Sequence, residues 1–310
     1  MARNGIHHVT AIAGPARRNY DFYTRTLGLR FVKKTVNFDD PGTYHFYFGD
    51  ETGQPGTILT FFPWEHVAPG QLGVGETQET SFRIPESAIG YWTHRLLEKG
   101  VAHEPARKSF GETVISFRDP DGMRLALVSV PGAESEEAWS DGEIPVEYAI
   151  RGFHGVTLLL KKGDATAAIL TDVFGFNEVA REEATIRLKA GDTEIGGIVD
   201  LRVVGDFPRG RQGGGSVHHI AFRAADDAAQ AEMARKLAEK HGVHTTEQKD
   251  RNYFRSVYFR EPGGVLFEIA TDIPGFAADE PVESLGLALK LPAPLEPLRD
   301  KIEAVLPELA

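Results

Sequence analysis

The fold of this chain is decided by two short stretches, Ser216-Val217-His218-His219-Ile220-Ala221-Phe222 and Glu261-Pro262-Gly263-Gly264-Val265-Leu266-Phe267-Glu268-Ile269-Ala270. Both are rich in β-branched and aromatic residues and are bounded by turn residues, which predicts β-strands. Because strand side chains alternate between two faces, His219 and Glu268 are expected to face away from their bulky apolar neighbours. A carboxylate between Phe267 and Ile269 is costly to bury unless a cation or a hydrogen-bond donor meets it. The pattern is therefore typical of a metal ligand, or of a glutamate hydrogen-bonded at the open end of a strand.

The first stretch belongs to a unit that recurs four times along the chain. Each repeat reads as a strand, a helix and further strands, and the repeats begin near residues 5, 80, 152 and 217. Apolar residues at helical spacing predict the four helices over residues 16–27, 88–99, 166–174 and 226–241. Each of these units is about 55 to 70 residues long, a length typical of a supersecondary repeat. The sequence thus predicts an α+β protein made of four β-α-β-β-β repeats.

The connecting segments suggest how the repeats are divided. Residues 134–150 are rich in Glu, Asp, Ser and Gly and are expected to form a linker. We therefore expect one domain over residues 1–133, from repeats one and two, and a second over residues 151–273, from repeats three and four. A proline-rich C-terminal tail follows over residues 274–310, with a short helix predicted at 295–306. The glycine-rich segment 209–215 is expected to be a flexible loop, and no Lys-Ser/Thr of a phosphate-binding loop follows it.

Composition narrows the classes of function. The 310 residues carry a net charge of −11, which argues against nucleic acid or an anionic membrane surface as a partner. The chain contains no cysteine, so disulfides are excluded and any metal site must use His, Asp or Glu. No run approaches the ~18 apolar residues of a membrane span, and the start lacks the apolar core of a signal peptide. We therefore expect a cytoplasmic protein.

Three segments carry a family resemblance: Gly5-Ile6-His7-His8-Val9-Thr10-Ala11-Ile12, Val36-Asn37-Phe38-Asp39-Asp40-Pro41-Gly42-Thr43-Tyr44-His45 and Asp250-Arg251-Asn252-Tyr253-Phe254-Arg255-Ser256-Val257-Tyr258-Phe259. With the four repeats, they make the chain resemble the vicinal-oxygen-chelate superfamily over nearly its full length, and within it the hydroquinone ring-cleaving dioxygenases. The resemblance implies two barrel-like domains, a small aromatic substrate and O₂-dependent ring cleavage. It also implies an Fe(II) cofactor, with Mn(II) as the alternative. A homo-oligomer is one option that the sequence leaves open.

The resemblance also implies site residues. The metal ligands fall on His8, His219 and Glu268. The polar residues of the active site fall on His7, Thr10, His218, Arg251 and Tyr258. Two histidines and one carboxylate form the facial triad that leaves open positions on non-haem Fe(II). For the five polar residues, packing or surface roles are the alternative interpretation.

His154 is the rival of His8 as the second histidine ligand. The catechol dioxygenases of this superfamily take all three ligands from repeats three and four, which His154 would satisfy. Aligning the first strands of repeats one and three places His154 opposite His7, and Gly155 opposite His8. A one-residue offset turns a side chain to the other face of a strand, unless a β-bulge intervenes. We therefore expect one metal site, built by repeats one and four.

Three other functions remain open at this point. A catechol extradiol dioxygenase would need two adjacent substrate hydroxyls on the metal. A glyoxalase-like metalloenzyme would favour a second carboxylate ligand, where repeat two has Ala126. A small-molecule-binding protein of the bleomycin-resistance type would need no metal triad.

Overall fold

The computed structural model describes residues 4–191 and 193–309, and in this part of the chain the four predicted β-α-β-β-β repeats follow one another. Repeat one comprises β1 (Ile6–Ala13), α1 (Ala16–Asp21), β2 (Arg30–Asn37), β3 (Asp40–Gly49) and β4 (Ile58–Pro63). Repeat two comprises β5 (Glu76–Pro85), α2 (Ile89–Glu98), β6 (Arg107–Ser109), β7 (Glu112–Arg118) and β8 (Arg124–Val130). The predicted α+β class is confirmed. The first predicted helix differs in detail, because after α1 it continues as a π-helical turn, Phe22–Thr26.

Repeats three and four have the same order of elements. Repeat three comprises β9 (Phe153–Leu160), α3 (Asp164–Asp172), β10 (Phe176–Glu182), β11 (Thr185–Ala190) and β12 (Ile198–Val203). Repeat four comprises β13 (Val217–Ala224), α4 (Asp227–His241), β14 (Lys249–Asp250), β15 (Arg255–Arg260) and β16 (Leu266–Thr271). In the tail, a 3-10 helix at Ala293–Leu298 leads into α5 (Arg299–Glu303). No helix of the described residues has the length and apolar character that crossing a membrane requires.

The strands form two curled eight-stranded sheets. The order in the first sheet is β14-β15-β16-β13-β1-β4-β3-β2, and the order in the second is β10-β11-β12-β9-β5-β8-β7-β6. The first sheet thus combines repeats one and four, and the second combines repeats two and three. Each sheet takes one repeat from residues 1–133 and one from residues 151–273, so the sheets do not follow that division of the chain. The reason is that β1 pairs antiparallel with β13, and β5 with β9.

The outer face of the first sheet is apolar and carries a helix. Helix α4 packs on β13 and β16. Phe222 of β13 and Phe267 of β16 are fully buried, with ring centroids 4.9 Å apart. Asp226 caps the helix by accepting a hydrogen bond from the backbone of Ala229 at 2.9 Å. Because the apolar residues occupy this face, His219 and Glu268 project to the inner face, as the alternation predicted.

The glycine-rich segment 209–215 is a loop, but backbone hydrogen bonds hold it against another loop. This corrects the expectation of a flexible loop. The segment runs against residues 69–74, and the backbones of Gln71 and Arg211 exchange two hydrogen bonds of 2.8 Å. Glycine is needed where the two backbones touch, because a Cβ on Gly73 would lie 2.3 Å from the backbone nitrogen of Gly210. This pair of loops joins β4 to β5 and β12 to β13, the connections through which the chain passes between the two sheets.

The tail folds back over the first sheet. Phe276 and Leu285 are buried in a cluster with Tyr47 of β3, and the backbone of Lys290 donates to that of Lys34 at 2.9 Å. Inside this contact the ammonium of Lys33, which is fully buried, bonds the carboxylates of Asp279 and Glu280. The tail is thus an integral part of the half-barrel formed by repeats one and four.

Candidate metal centre

Three side chains meet on the inner face of the first sheet, each from a different strand. His8 lies on β1, His219 on β13 and Glu268 on β16, and all three are buried. The Oε2 atom of Glu268 lies 2.8 Å from Nε2 of His219 and 3.4 Å from Nε2 of His8. One potential ligand atom from each residue lies within 4.8 Å of the other two. Among the described residues, this is the one such group of three His, Asp or Glu side chains.

The two oxygens of Glu268 differ in their partners. Oε1 accepts a hydrogen bond from the buried hydroxyl of Ser256 on the neighbouring strand β15. Oε2 accepts no hydrogen bond from any described residue, although it is buried between the two imidazole nitrogens. An unsatisfied buried carboxylate oxygen is expensive, whereas a cation between it and two imidazoles would satisfy all three atoms. The residues present therefore fit a divalent metal ion.

The imidazole of each candidate ligand histidine contacts the imidazole of the histidine that precedes it in the sequence. Nδ1 of His7 lies 2.9 Å from Nδ1 of His8, and Nδ1 of His218 lies 2.8 Å from Nδ1 of His219. Such a contact fixes the orientation and the tautomer of an imidazole, which leaves its Nε2 free to bind a metal.

Two β-bulges allow these contacts between consecutive histidines. Residues 6 and 8 pair with 222 and 221, so His7 is the extra residue of one strand. Residues 217 and 219 pair with 11 and 10, so His218 is the extra residue of the other. A bulge turns a side chain out of strict alternation and is frequent beside active sites. Both residues of each His-His pair can therefore reach the same interior.

Electrostatics favour the metal-binding forms of these groups. Burial lowers the pKa of His219, and burial followed by the neighbouring His219 lowers the pKa of His218 to about 4. Burial also lowers the pKa of His7. Burial acts to raise the pKa of Glu268, but the nearby imidazoles of His8 and His219 outweigh it and hold the pKa well below the ordinary value. Neutral imidazoles and an ionised carboxylate are the forms that bind metals.

Arg251 and Tyr258 lie on the same side of the sheet as Glu268. Tyr258 is opposite Glu268 across β15 and β16, and its ring lies 5.6 Å from that of His219. Nε of Arg251 donates to the Tyr258 hydroxyl at 3.3 Å, and the guanidinium also reaches Asp39 at 3.3 Å. Burial raises the pKa of Tyr258, so its hydroxyl stays a hydrogen-bond donor at neutral pH. The structure thus brings both predicted residues to the cluster.

Thr10 is buried on β1 and begins a chain of hydrogen bonds to Thr60, His45 and Tyr47, of which sequence reasoning missed Thr60 and Tyr47. The hydroxyl of Thr60 donates to that of Thr10 at 2.9 Å. His45 lies 2.8 Å from Thr60 through Nε2 and 2.9 Å from the Tyr47 hydroxyl through Nδ1. The sequence signal was the alternation of His45 and Tyr47 along β3, which puts both on one face.

Phe254 is another residue that sequence reasoning missed. Its ring lies 4.9 Å from that of His8 and 5.2 Å from that of His7, and it is buried. It follows Tyr253, whose hydroxyl donates to Asp279 of the tail at 3.0 Å. The tail therefore supports the loop that carries both Phe254 and Arg251.

His154, the rival of His8, lies in the second sheet. It occupies a β-bulge there, because residues 153 and 155 pair with 82 and 81. The bulge does not bring it to His219; its Nε2 lies 3.1 Å from Glu112 and its Nδ1 lies 3.4 Å from Ser81. The strand register therefore agrees with the alignment that placed His154 opposite His7.

The family model described as Glyoxalase/Bleomycin resistance protein/Dioxygenase superfamily matches residues 5–127 and 152–269. These two ranges include all four repeats and most of the chain. The chain belongs to this superfamily. Its candidate metal centre combines the first matched range, which holds His8, with the second, which holds His219 and Glu268.

Several named members of the superfamily are similar to this chain over nearly their whole length. MhqO of Bacillus subtilis (strain 168), provisionally named a ring-cleaving dioxygenase, is 47% identical over 96% of this chain and 94% of its own. The chlorohydroquinone/hydroquinone 1,2-dioxygenase of Sphingobium indicum is 32% identical over 96% of this chain and 94% of its own.

Solved structures support the same fold. The crystal structure of a provisionally named dioxygenase from Bacillus subtilis superposes with a TM-score of 0.94 at 45% identity, covering 99% of this chain and 98% of that one. Glyoxalase I from Zea mays superposes with a TM-score of 0.63 at 13% identity, covering 87% of this chain and 92% of that one, which shows a shared fold and no more.

Proposed function

We propose that this superfamily member is a non-haem Fe(II)-dependent dioxygenase that cleaves the ring of hydroquinone-type aromatics with O₂. The observation that carries the proposal is the buried Oε2 of Glu268, which has no donor among the described residues and faces the Nε2 atoms of His8 and His219. The resemblance to a chlorohydroquinone/hydroquinone 1,2-dioxygenase supports the substrate class. Mn(II) suits the same ligands and is the alternative metal.

In this proposal His8, His219 and Glu268 hold the metal. When bound, the ion lowers the pKa of a phenol and holds it beside O₂, acting as a Lewis acid and as a template. His7 and His218 orient the ligand imidazoles. Their pKa values are lowered, so both imidazoles are neutral at pH 7 and each can accept the Nδ1–H of the ligand histidine beside it. Phe254 excludes water from the side of His7 and His8.

Arg251 and Tyr258 supply a second anchor for the substrate. A hydroquinone can place one hydroxyl on the metal, and its other hydroxyl lies across the ring. That distant oxygen needs a donor of its own, which the Arg251–Tyr258 pair offers beside His219. Both groups can also stabilise negative charge that develops on this oxygen during the reaction. A catechol, by contrast, chelates through two adjacent oxygens and needs no such anchor.

An oxygen electrode tests the substrate class. We expect anaerobically iron-loaded enzyme to consume O₂ faster with substituted hydroquinones than with the matching catechols. Monophenols should react at least about 10²-fold more slowly, because they leave the half-buried donors of the second anchor without a partner. Turnover of catechols without turnover of hydroquinones would contradict the proposed substrate class and leave the metal site intact.

A further inference from the structure

The second half-barrel, formed by repeats two and three, is the internal counterpart of the metal-bearing one. The strand pairing identifies the equivalent positions of the two sheets. In the first sheet Thr10 pairs with His219, and in the second sheet the equivalent Thr157 pairs with Glu79. Ser81 pairs with Ala126 as Ala221 pairs with Glu268. The positions of His219 and Glu268 are thus taken by Glu79 and Ala126, and Gly155 takes that of His8. The counterpart has lost the ligand set of the metal centre.

It nevertheless contains a large polar cavity. The cavity has a volume of about 1120 Å³, and none of the three candidate metal ligands lines it. Its lining includes Glu79, Phe110, Ser116, Arg124, Thr157 and Arg202. Binding sites for small molecules generally measure about 300 to 1,000 Å³, so the cavity is large enough for one.

One wall of the cavity is a network in which two carboxylates surround one guanidinium. Arg187 bonds Asp200 through two nitrogens, at 2.9 and 2.8 Å, and Glu112 through a third at 2.6 Å. Its guanidinium lies 4.0 Å from the centre of the Phe110 ring. His154 completes the network at Glu112. The positive charge of Arg187 is therefore matched, and the wall offers a flat aromatic and guanidinium surface.

Another wall carries three arginines, of which Arg118 and Arg202 are exposed and Arg124 is half-buried. Arg118 and Arg124 lie directly opposite each other on β7 and β8, and Arg202 is close enough to affect Arg124. Burial and then Arg118 lower the pKa of Arg124, against the weaker opposing effects of Glu79 and Glu104. Within the described residues none of the three arginines forms an ion pair at 4.0 Å or less, and Arg202 reaches only Gln78, at 3.4 Å.

The three guanidinium groups leave hydrogen-bonding positions open to a ligand. Like charges directly opposite each other on neighbouring strands repel. Arginine pairs with carboxylates through two parallel hydrogen bonds, and Glu79 and Glu104 affect Arg124 without forming such a pair in the described part of the chain. An external carboxylate would satisfy them.

Glu79 adds an acidic group to the cavity lining, near enough to Arg124 to affect its pKa. Its Oε2 accepts a hydrogen bond from Ser116 at 3.0 Å, and burial raises the pKa of the carboxyl group. A second anionic group on a ligand would be repelled here when Glu79 is ionised, whereas a hydroxyl can donate to it. The arginines and Glu79 together favour a ligand with one carboxylate and one hydroxyl.

We propose that the second half-barrel binds a small hydroxycarboxylate, with its carboxylate on Arg118, Arg124 and Arg202 and its hydroxyl towards Glu79. The Phe110–Arg187 surface lies beside it and suits a planar ligand. This site is separate from the candidate metal centre and does not depend on the reaction proposed there.

Titration calorimetry with 4-hydroxybenzoate tests the proposal on the metal-loaded, full-length protein. In the double variant Arg124→Gln/Arg202→Gln the Kd should rise about tenfold or more, because charge-assisted hydrogen bonds are lost. Arg235→Gln, which changes an exposed and ion-paired arginine of α4, is the matched control and should leave the Kd unchanged. Among the probes, benzoate and inorganic phosphate should bind more weakly, and 4-hydroxybenzamide should not bind measurably.

Measurements on the same variants distinguish this site from the candidate metal centre. Oxygen consumption and metal content should stay unchanged in the double variant, and its melting temperature should not fall, because like-charge repulsion is removed. An equal Kd in the double variant and the wild type would overturn the proposal, as would the absence of binding to the wild type. Binding lost in Glu268→Ala but kept in the double variant would place the ligand at the metal centre and overturn it too.

Discussion

Glu268 shows how one residue combines two roles in the candidate centre. Its Oε1 is held by Ser256, and its Oε2 is left for a cation between His8 and His219. Strand alternation predicted that Glu268 faces the interior, because its neighbours Phe267 and Ile269 must be buried on the other side. The same alternation puts Ser256 on the face of Tyr258, so the sequence contained this contact as well.

The Ser256 hydroxyl should therefore tune the affinity for the metal. Ser256→Ala leaves Oε1 without its donor and lets the carboxylate rotate, so we expect the affinity for Fe(II) to fall about 10- to 100-fold. Anaerobic competition with a chromophoric chelator measures this. Ser116→Ala, which removes a hydroxyl that donates to the carboxylate of Glu79 in the second sheet, is the control and should retain the wild-type affinity. Equal affinities in both variants would show that Ser256 does not support a metal ligand.

At the scale of elements, local patterns predicted most strands and helices, and the exceptions have physical causes. The positions of β10, β11 and β12 in repeat three were not predicted; β10, Phe176–Glu182, is an edge strand with mostly exposed side chains and lacks clear apolar alternation. The bulges at His7 and His218 could not be read from alternation, since each breaks it. The resemblance, and not the periodicity, supplied these two residues.

The tail is an element whose role only the structure reveals. The buried ammonium of Lys33 depends on Asp279 and Glu280, which no local pattern connects to it. Removing both carboxylates leaves the buried ammonium uncompensated, so Asp279→Asn/Glu280→Gln should lower the free energy of unfolding by about 3 kcal/mol.

Urea unfolding at pH 7 measures that loss. Glu283→Gln, which neutralises an exposed glutamate of the same segment, should change the free energy of unfolding by no more than about 0.5 kcal/mol. If both variants unfold at the same urea concentration, the Lys33 cluster does not fasten the tail.

At the scale of the whole molecule, the candidate site exists because repeat one pairs with repeat four. Repeats three and four, although adjacent in sequence, lie in different sheets, so His154 is far from His219. The histidine that lies beside His219 is His8, from repeat one. This pairing is non-local and leaves no mark in the periodicity of either repeat. The sequence predicted it only through the alignment of His154 with His7 and the resemblance to the superfamily.

The iron content of purified variants tests the central claim most directly. After anaerobic loading with Fe(II) and gel filtration, the wild type and His154→Ala should each retain about one iron per chain, whereas His8→Ala, His219→Ala and Glu268→Ala should retain almost none. Circular dichroism checks that each variant is folded. Full iron occupancy in His8→Ala together with its loss in His154→Ala would contradict a centre built by repeats one and four.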